Sequence, residues 1–257
     1  WSPSGDTAYG AQQNFSLNHL FTAGGKIYPD TIVVCGDKIL FLSGEGLFSF
    51  DGNSAKKILS RLDGYFKGTQ NNNANAAYLN GKYYLTCNLN FNDEIITPAE
   101  ANICVNNAVI EVDITSGAVS ILRGFDAASL IGVTGGRFSN LMMCFGANQP
   151  HANTVGMFSD EGKIFGQNTA KRWICPITDL NSPTVKKKLM HIILTSHFDV
   201  ALKVTVDEID YVFFVKGSSS AQKIPINLTG ETFRLTVTGN TEKMYVLRPQ
   251  LIFKEYT

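Results

Sequence analysis

Charge is what this sequence has little of: 17% of its 257 residues are Asp, Glu, Lys or Arg, against about 25% in an ordinary globular chain. The 22 basic residues balance the 22 acidic ones, so no global field steers the chain to nucleic acid, a membrane surface or an acidic substrate. No run of about 18 apolar residues occurs, which removes a helical membrane span. Cysteine is sparse and unpatterned: Cys35, Cys87, Cys104, Cys144 and Cys175 form no CxxC pair and mostly neighbour apolar residues. They read as small core hydrophobes in a reducing compartment. Gly-x-Ser-x-Gly, HExxH and a Gly-rich phosphate loop are all missing, which takes most of the weight from serine hydrolases, zinc proteases and nucleotide-binding enzymes. The start, Trp1-Ser2-Pro3-Ser4-Gly5-Asp6, shows no basic and then apolar signal pattern and no initiator Met. The expectation is a proteolytic product, a tag-cleaved form or a piece of something longer, with no signal peptide visible.

What is present is a 44% hydrophobic chain with 23 Gly and 8 Pro, long enough for one large domain or two ordinary ones. Over the first 170 residues, short apolar or alternating runs are cut every 8 to 12 residues by Gly, Asn, Asp or Pro, the pattern of many short strands joined by tight turns. Strands are expected at 31–34, 38–42, 47–50, 57–60, 76–79, 82–87, 108–113, 119–122, 130–133, 138–145, 155–158 and 163–165. Only 98–105 and 126–130 leave room for a helical turn.

These strands repeat. Gly36-Asp37-Lys38-Ile39-Leu40-Phe41 is echoed by Asn80-Gly81-Lys82-Tyr83-Tyr84-Leu85, and more weakly by Gly135-Gly136-Arg137-Phe138. A second echo, an apolar strand ending in Asp and a hairpin turn, runs through Asp51, Asp113 and Asp160. The steps are about 45 to 60 residues, near the roughly 40 to 50 of a four-stranded propeller blade. The fold class expected is therefore all-β, with about three propeller-like blades over 1–172. Three blades do not close a ring of four to eight, so upstream residues, the 1–26 segment or a partner chain would have to complete it. Lys171 to Pro176 reads as an extended linker, because proline biases the residue before it to β. Over 173–257, six longer strands with cleaner alternation suggest a small antiparallel β-sandwich.

Candidate chemistry is thin. His191 and His197, six apart, do not have a metal-ligand spacing, and His19 and His151 stand alone; no metal or cofactor is expected. Asp207-Glu208-Ile209-Asp210 has calcium-type oxygen ligands but reads first as a solvated hairpin turn. Lys186-Lys187-Lys188 reads as an edge guard before a strand. Gln70 to Asn75 reads as a mobile polar connection between blades. Ser159-Asp160-Glu161-Gly162-Lys163-Ile164-Phe165 resembles a sialidase Asp-box one residue short. That box is a structural turn, and the six arginines are each isolated, so a propeller glycosidase is only a third reading. Tyr65, Phe66, Asn90, Phe91 and Asn92, beside loop signals, are the candidate surface contacts, with capping of the blade core as the competing role for the aromatics.

The segment Pro29-Asp30-Thr31-Ile32-Val33-Val34 through Ile39-Leu40-Phe41-Leu42-Ser43-Gly44-Glu45-Gly46-Leu47-Phe48-Ser49-Phe50-Asp51-Gly52 resembles a strand pair of tailed-phage virion proteins built on propellers. Asn80 to Leu85 with Val109 to Asp113 is similar to a following blade. Trp173-Ile174-Cys175-Pro176-Ile177-Thr178-Asp179-Leu180 resembles the exit from such a propeller into a C-terminal β domain. The resemblance implies a non-catalytic structural component of a phage or prophage particle (tail, baseplate or neck), assembled in the bacterial cytoplasm. Its implied partners are other virion subunits in a homo-oligomer, with no nucleic acid. The alternative is a propeller module binding carbohydrate or a host-surface glycan, for which Asn88-Leu89-Asn90-Phe91-Asn92-Asp93 offers an aromatic among amide side chains.

Overall fold

A computed structural model describes residues 2–4, 12–14, 25–91, 105–123, 126–135, 138–146, 152–158, 163–164, 167–168, 170–239 and 246–255. The chain is all-β, with five antiparallel sheets of three or four strands and two of two strands, and no closed propeller or barrel forms among the described residues. It divides into two compact units, 1–158 and 159–257.

In the first unit, β1 (Ser2–Ser4) pairs with β2 (Gln12–Asn14). Then come two four-stranded meanders in strict chain order. One is β3 (Val33–Cys35), β4 (Lys38–Ser43), β5 (Gly46–Phe50) and β6 (Ala55–Lys57). The next is β7 (Asn75–Leu79), β8 (Lys82–Cys87), β9 (Ala108–Asp113) and β10 (Val119–Arg123). The three-stranded sheet β11 (Ala127–Gly135), β12 (Phe138–Phe145) and β13 (Val155–Met157) follows. Local chemistry sets the hairpins. Asn80 and Gly81, at φ +51° and +79°, join β7 to β8, the double left-handed turn whose twist suits a two-residue hairpin.

The first strands of the meanders lie side by side, β3 against β7 and β7 against β11. The β7–β11 approach is so close that a Cβ at Gly132 would fall 2.7 Å from the Tyr78 carbonyl oxygen. Leu40, Leu42, Leu47, Tyr83, Leu85, Cys87, Ile110 and Val112 build a common core for the two meanders. Inside it the buried Tyr83 hydroxyl donates to the Thr31 carbonyl at 2.9 Å. A short helix, α1 (Asp63–Phe66), enters it through buried Phe66.

The second unit has β14 (Lys163–Ile164) paired with β15 (Gln167–Asn168), then β16 (Lys171–Ile174), β17 (Lys187–Ser196), β18 (Val200–Val206), β19 (Ile209–Val215), β20 (Gln222–Gly230), β21 (Phe233–Gly239) and β22 (Val246–Glu255). Two sheets of order β16-β21-β18-β19 and β20-β17-β22 share one core. Its inward positions obey the strand period of two: Val200, Leu202, Val204 and Val206 are buried and the residues between them half-exposed.

Four expectations are corrected here. Residues 171–174 are not a linker: β16 pairs with β21, Trp173 opposite Val237, because an extended segment beside an open sheet edge gains a full ladder. Residues 126–130 are not helical; Asp126 is a buried acceptor and β11 starts at Ala127. Lys187 is no edge guard. It lies in the central strand β17, wholly buried, its ammonium donating to the carbonyls of Ser182 and Glu231. Cys144 is exposed rather than in the core, whereas Cys35 and Cys87 are buried and Cys175 is half-buried. The helical turn expected at 98–105 lies mostly outside the described residues.

Candidate functional site

Of the five candidate contact residues, three meet at one place on the first unit. Successive residues of α1 point about 100° apart, so Phe66 enters the core while Tyr65, half-buried, packs on it from the rim together with Phe91, the capping role. Phe66 is 6% exposed and belongs to the core, which corrects its reading as a surface anchor. Tyr65 and Phe91 are both half-buried, with ring centroids 5.6 Å apart and tilted by 58°. The Tyr65 carbonyl accepts the amide of exposed Asn90 at 2.6 Å, which holds the 88–91 segment against α1. From the end of β10, the Arg123 guanidinium lies over the Phe91 ring, 3.6 Å from its centroid, a cation–π contact. One Phe91 face is thus already covered, and the flat open aromatic platform that a sugar site needs is lost on that side. Asn92 lies outside the described residues, as do His19, His151, Asp93, Cys104 and most of the Asp-box-like segment.

The sequence reading missed a second constellation. Residues 70–75 are a fixed polar junction rather than a mobile connection. Buried Asn71 accepts the Asn88 amide at 2.6 Å, and Asn88 donates to the carbonyls of Gln70 and Val105. Asn75 accepts the Leu130 amide at 2.7 Å, tying β7 to β11. Asn106, fully buried, donates to the carbonyls of Asn73 at 3.0 Å and Ala127 at 2.7 Å, and its Oδ1 has no protein partner. Asp126 accepts the amides of Val105 and Asn106 at 3.0 and 2.9 Å. Asn107 and Leu89 exchange two bonds of 2.8 Å in the manner of a strand pair. The signal was the density of asparagine at 71–75, 88–92 and 106–107; a short amide side chain substitutes for a backbone partner where sheets meet without a continuous ladder.

The acidic turns are likewise committed. Asp51 accepts the amides of Asn53 and Ser54 at 3.0 and 2.9 Å, and Asp113 those of Thr115 and Ser116 at 3.0 and 2.7 Å. These bonds, led by the Ser54 and Ser116 amides, hold both carboxyls below the ordinary aspartate range. Asp207 is lowered first by the Thr232 amide and also accepts the Glu231 amide, while Asp210 is lowered first by Lys203 at 2.8 Å and then by Thr205. Asp207 and Asp210 are therefore committed to the structure around their turn. Among the described residues no three His, Cys, Asp or Glu side chains converge as metal ligands. Burial pushes the Cys35 thiol up to about 11, raises the Cys87 thiol further, and lifts the Tyr83 hydroxyl well above its ordinary value, so at neutral pH both thiols stay protonated and weakly nucleophilic.

No protein-family model matches the chain, and the curated proteins contain no significant match to it.

Proposed function

We propose that this chain is a non-catalytic structural or assembly component of a phage or prophage particle, of the tail, baseplate or neck, that presents a β scaffold to other subunits. The observation that supports the reading most is the repetition of turn chemistry between the two meanders. In each, a two-residue turn joins strands one and two (Gly36-Asp37, Asn80-Gly81), and an Asp at the end of strand three accepts the amides two and three residues on (Asp51, Asp113). Such repetition, with first strands side by side, is how propeller blades are built. Two of the three segments that carry the phage resemblance include these turns, while the third, Trp173 to Leu180, lies in the second unit. We read β11 to β13 as a third, partial blade and the two-sheet second unit as a sandwich.

A scaffold of this kind works by surface; Asp51, Asp113, Asp207 and Asp210 are engaged in turns, and Cys35 and Cys87 are buried. The decisive experiment is mass spectrometry of purified particles induced from the source strain, with immunogold electron microscopy using antibody to the chain. Stoichiometric presence at the tail, baseplate or neck is the expected outcome. Absence from particles that are otherwise complete overturns the proposal, and saturable signals on a glycan array would then favour the carbohydrate-binding alternative.

A further inference from the structure

Among the described residues, the four edges of the two sheets that share the second unit's core are not alike. Exposed edges normally carry devices against pairing with other chains: proline, lysine, bulges or very short length. β16 is four residues long and opens with Lys171-Arg172; β20 contains Lys223 and Pro225; β22 contains Pro249 and Lys254. β19 has none of these. It is seven residues, Ile209-Asp210-Tyr211-Val212-Phe213-Phe214-Val215, paired with β18 in unbroken register and ending its sheet. Its one charge, Asp210, is turned sideways onto Lys203 and Thr205. Ile209 is 60% exposed, Val212 55% and Phe214 89%.

We infer that β19 is an assembly edge that pairs antiparallel with β19 of a second copy of this chain, about a two-fold axis at Phe213. Two constraints select this register. A two-fold axis normal to the sheet keeps inward residues opposite inward ones, so only even register sums are open. Phe213 and Val215 pack inward on the unit's core, while Val212 and Phe214 sit opposite Lys203 and Ala201 on the outer face. Centring the axis on Phe213 places Val212 opposite Phe214 of the other copy, twice. It also places Asp210 opposite Lys216, which is exposed just past the strand end, again twice. The outer face then carries four apolar residues bracketed by two opposite-charge pairs. Centring on Val212 would bring Glu208 opposite Lys216 but would set Asp210 against Phe214 on both sides and break the Val212–Phe214 contacts, leaving a charge facing an aromatic ring twice. This charge and apolar complementarity of β19 with itself is what identifies the occupant as a second copy rather than a foreign strand.

The inference names a partner for the assembly reading and rests on that reading only for its biological meaning; a β19 dimer of a protein found in no particle would sustain the inference and remove the proposed function. One strand pair buries less than the roughly 1,200 to 2,000 Å² of a stable complex, so the free chain should dimerise weakly and reversibly. The test is sedimentation velocity of the whole chain from about 5 to about 500 µM, with Phe214→Lys and Lys216→Glu as variants, each checked for fold by circular dichroism. Concentration-dependent dimer is expected. Phe214→Lys should weaken it by more than about tenfold and Lys216→Glu, which sets Glu against Asp210, by about fivefold to tenfold. Both side chains are exposed, so both variants should fold; should one fail, the other decides. A chain that stays monomeric throughout, or a dimer that neither substitution weakens, overturns the inference.

Discussion

Asp207 and Glu208 both stand in left-handed backbone, at φ +45° and +73°, a conformation that glycine enters freely and a glutamate only against steric resistance. The turn between β18 and β19 holds because the Asp207 carboxylate gathers the Glu231 and Thr232 amides and the Thr232 hydroxyl. These bonds favour the ionised form, so the folded-state pKa lies below the unfolded one. The stabilisation is complete above the unfolded value, near 3.8, and is lost as pH falls through the lower, folded value. Asp207→Asn keeps the shape and an acceptor but removes the charge. Urea unfolding between about pH 2 and pH 7 should show a shallower loss of stability on the acid side for the variant than for the parent, with curves that run parallel at neutral pH. Identical acid limbs would mean that the carboxylate is not anchored as described.

At the scale of elements, the strands follow from local pattern and their mutual placement does not. Ala108–Asp113, Phe138–Phe145 and Val200–Val206 were legible to the residue, because alternation and a flanking turn leave one way to bury an apolar face. The 171–174 strand was not, since nothing in Lys-Arg-Trp-Ile says that the free edge of β21 waits for it. Nor was the asparagine junction. Its residues looked polar and therefore mobile, whereas the close β7–β11 approach leaves amides that only a side-chain acceptor can reach. Asn75→Ala strands the Leu130 amide at that contact and should cost about 1 to 3 kcal/mol in denaturant unfolding. Asn75→Asp, which keeps the oxygen, should recover most of it. An alanine variant as stable as the parent would show that the β7–β11 tie carries no weight.

Among the described residues the two largest cores lie one in each unit, around Tyr83 and Leu85 and around Leu202 and Val237, with a smaller Phe41–Phe48 cluster beside the first. Leu85→Ala and Leu202→Ala each open a cavity at a fully buried site and should each cost about 2 to 5 kcal/mol. In scanning calorimetry the two substitutions are expected to lower different transitions; one transition lowered by both would mean that the units unfold as one. The sequence by itself determined the all-β class, most of the strands and the echo of turns between meanders, because strand period and turn chemistry act over a few residues. Only the tertiary structure decided that Phe66 enters the core from α1, that Lys187 lies in a central strand, that asparagines join the sheets, and that β19 ends its sheet among the described residues. Those outcomes depend on which segments, far apart in the chain, become neighbours, and burial and pairing are properties of the neighbour as much as of the residue.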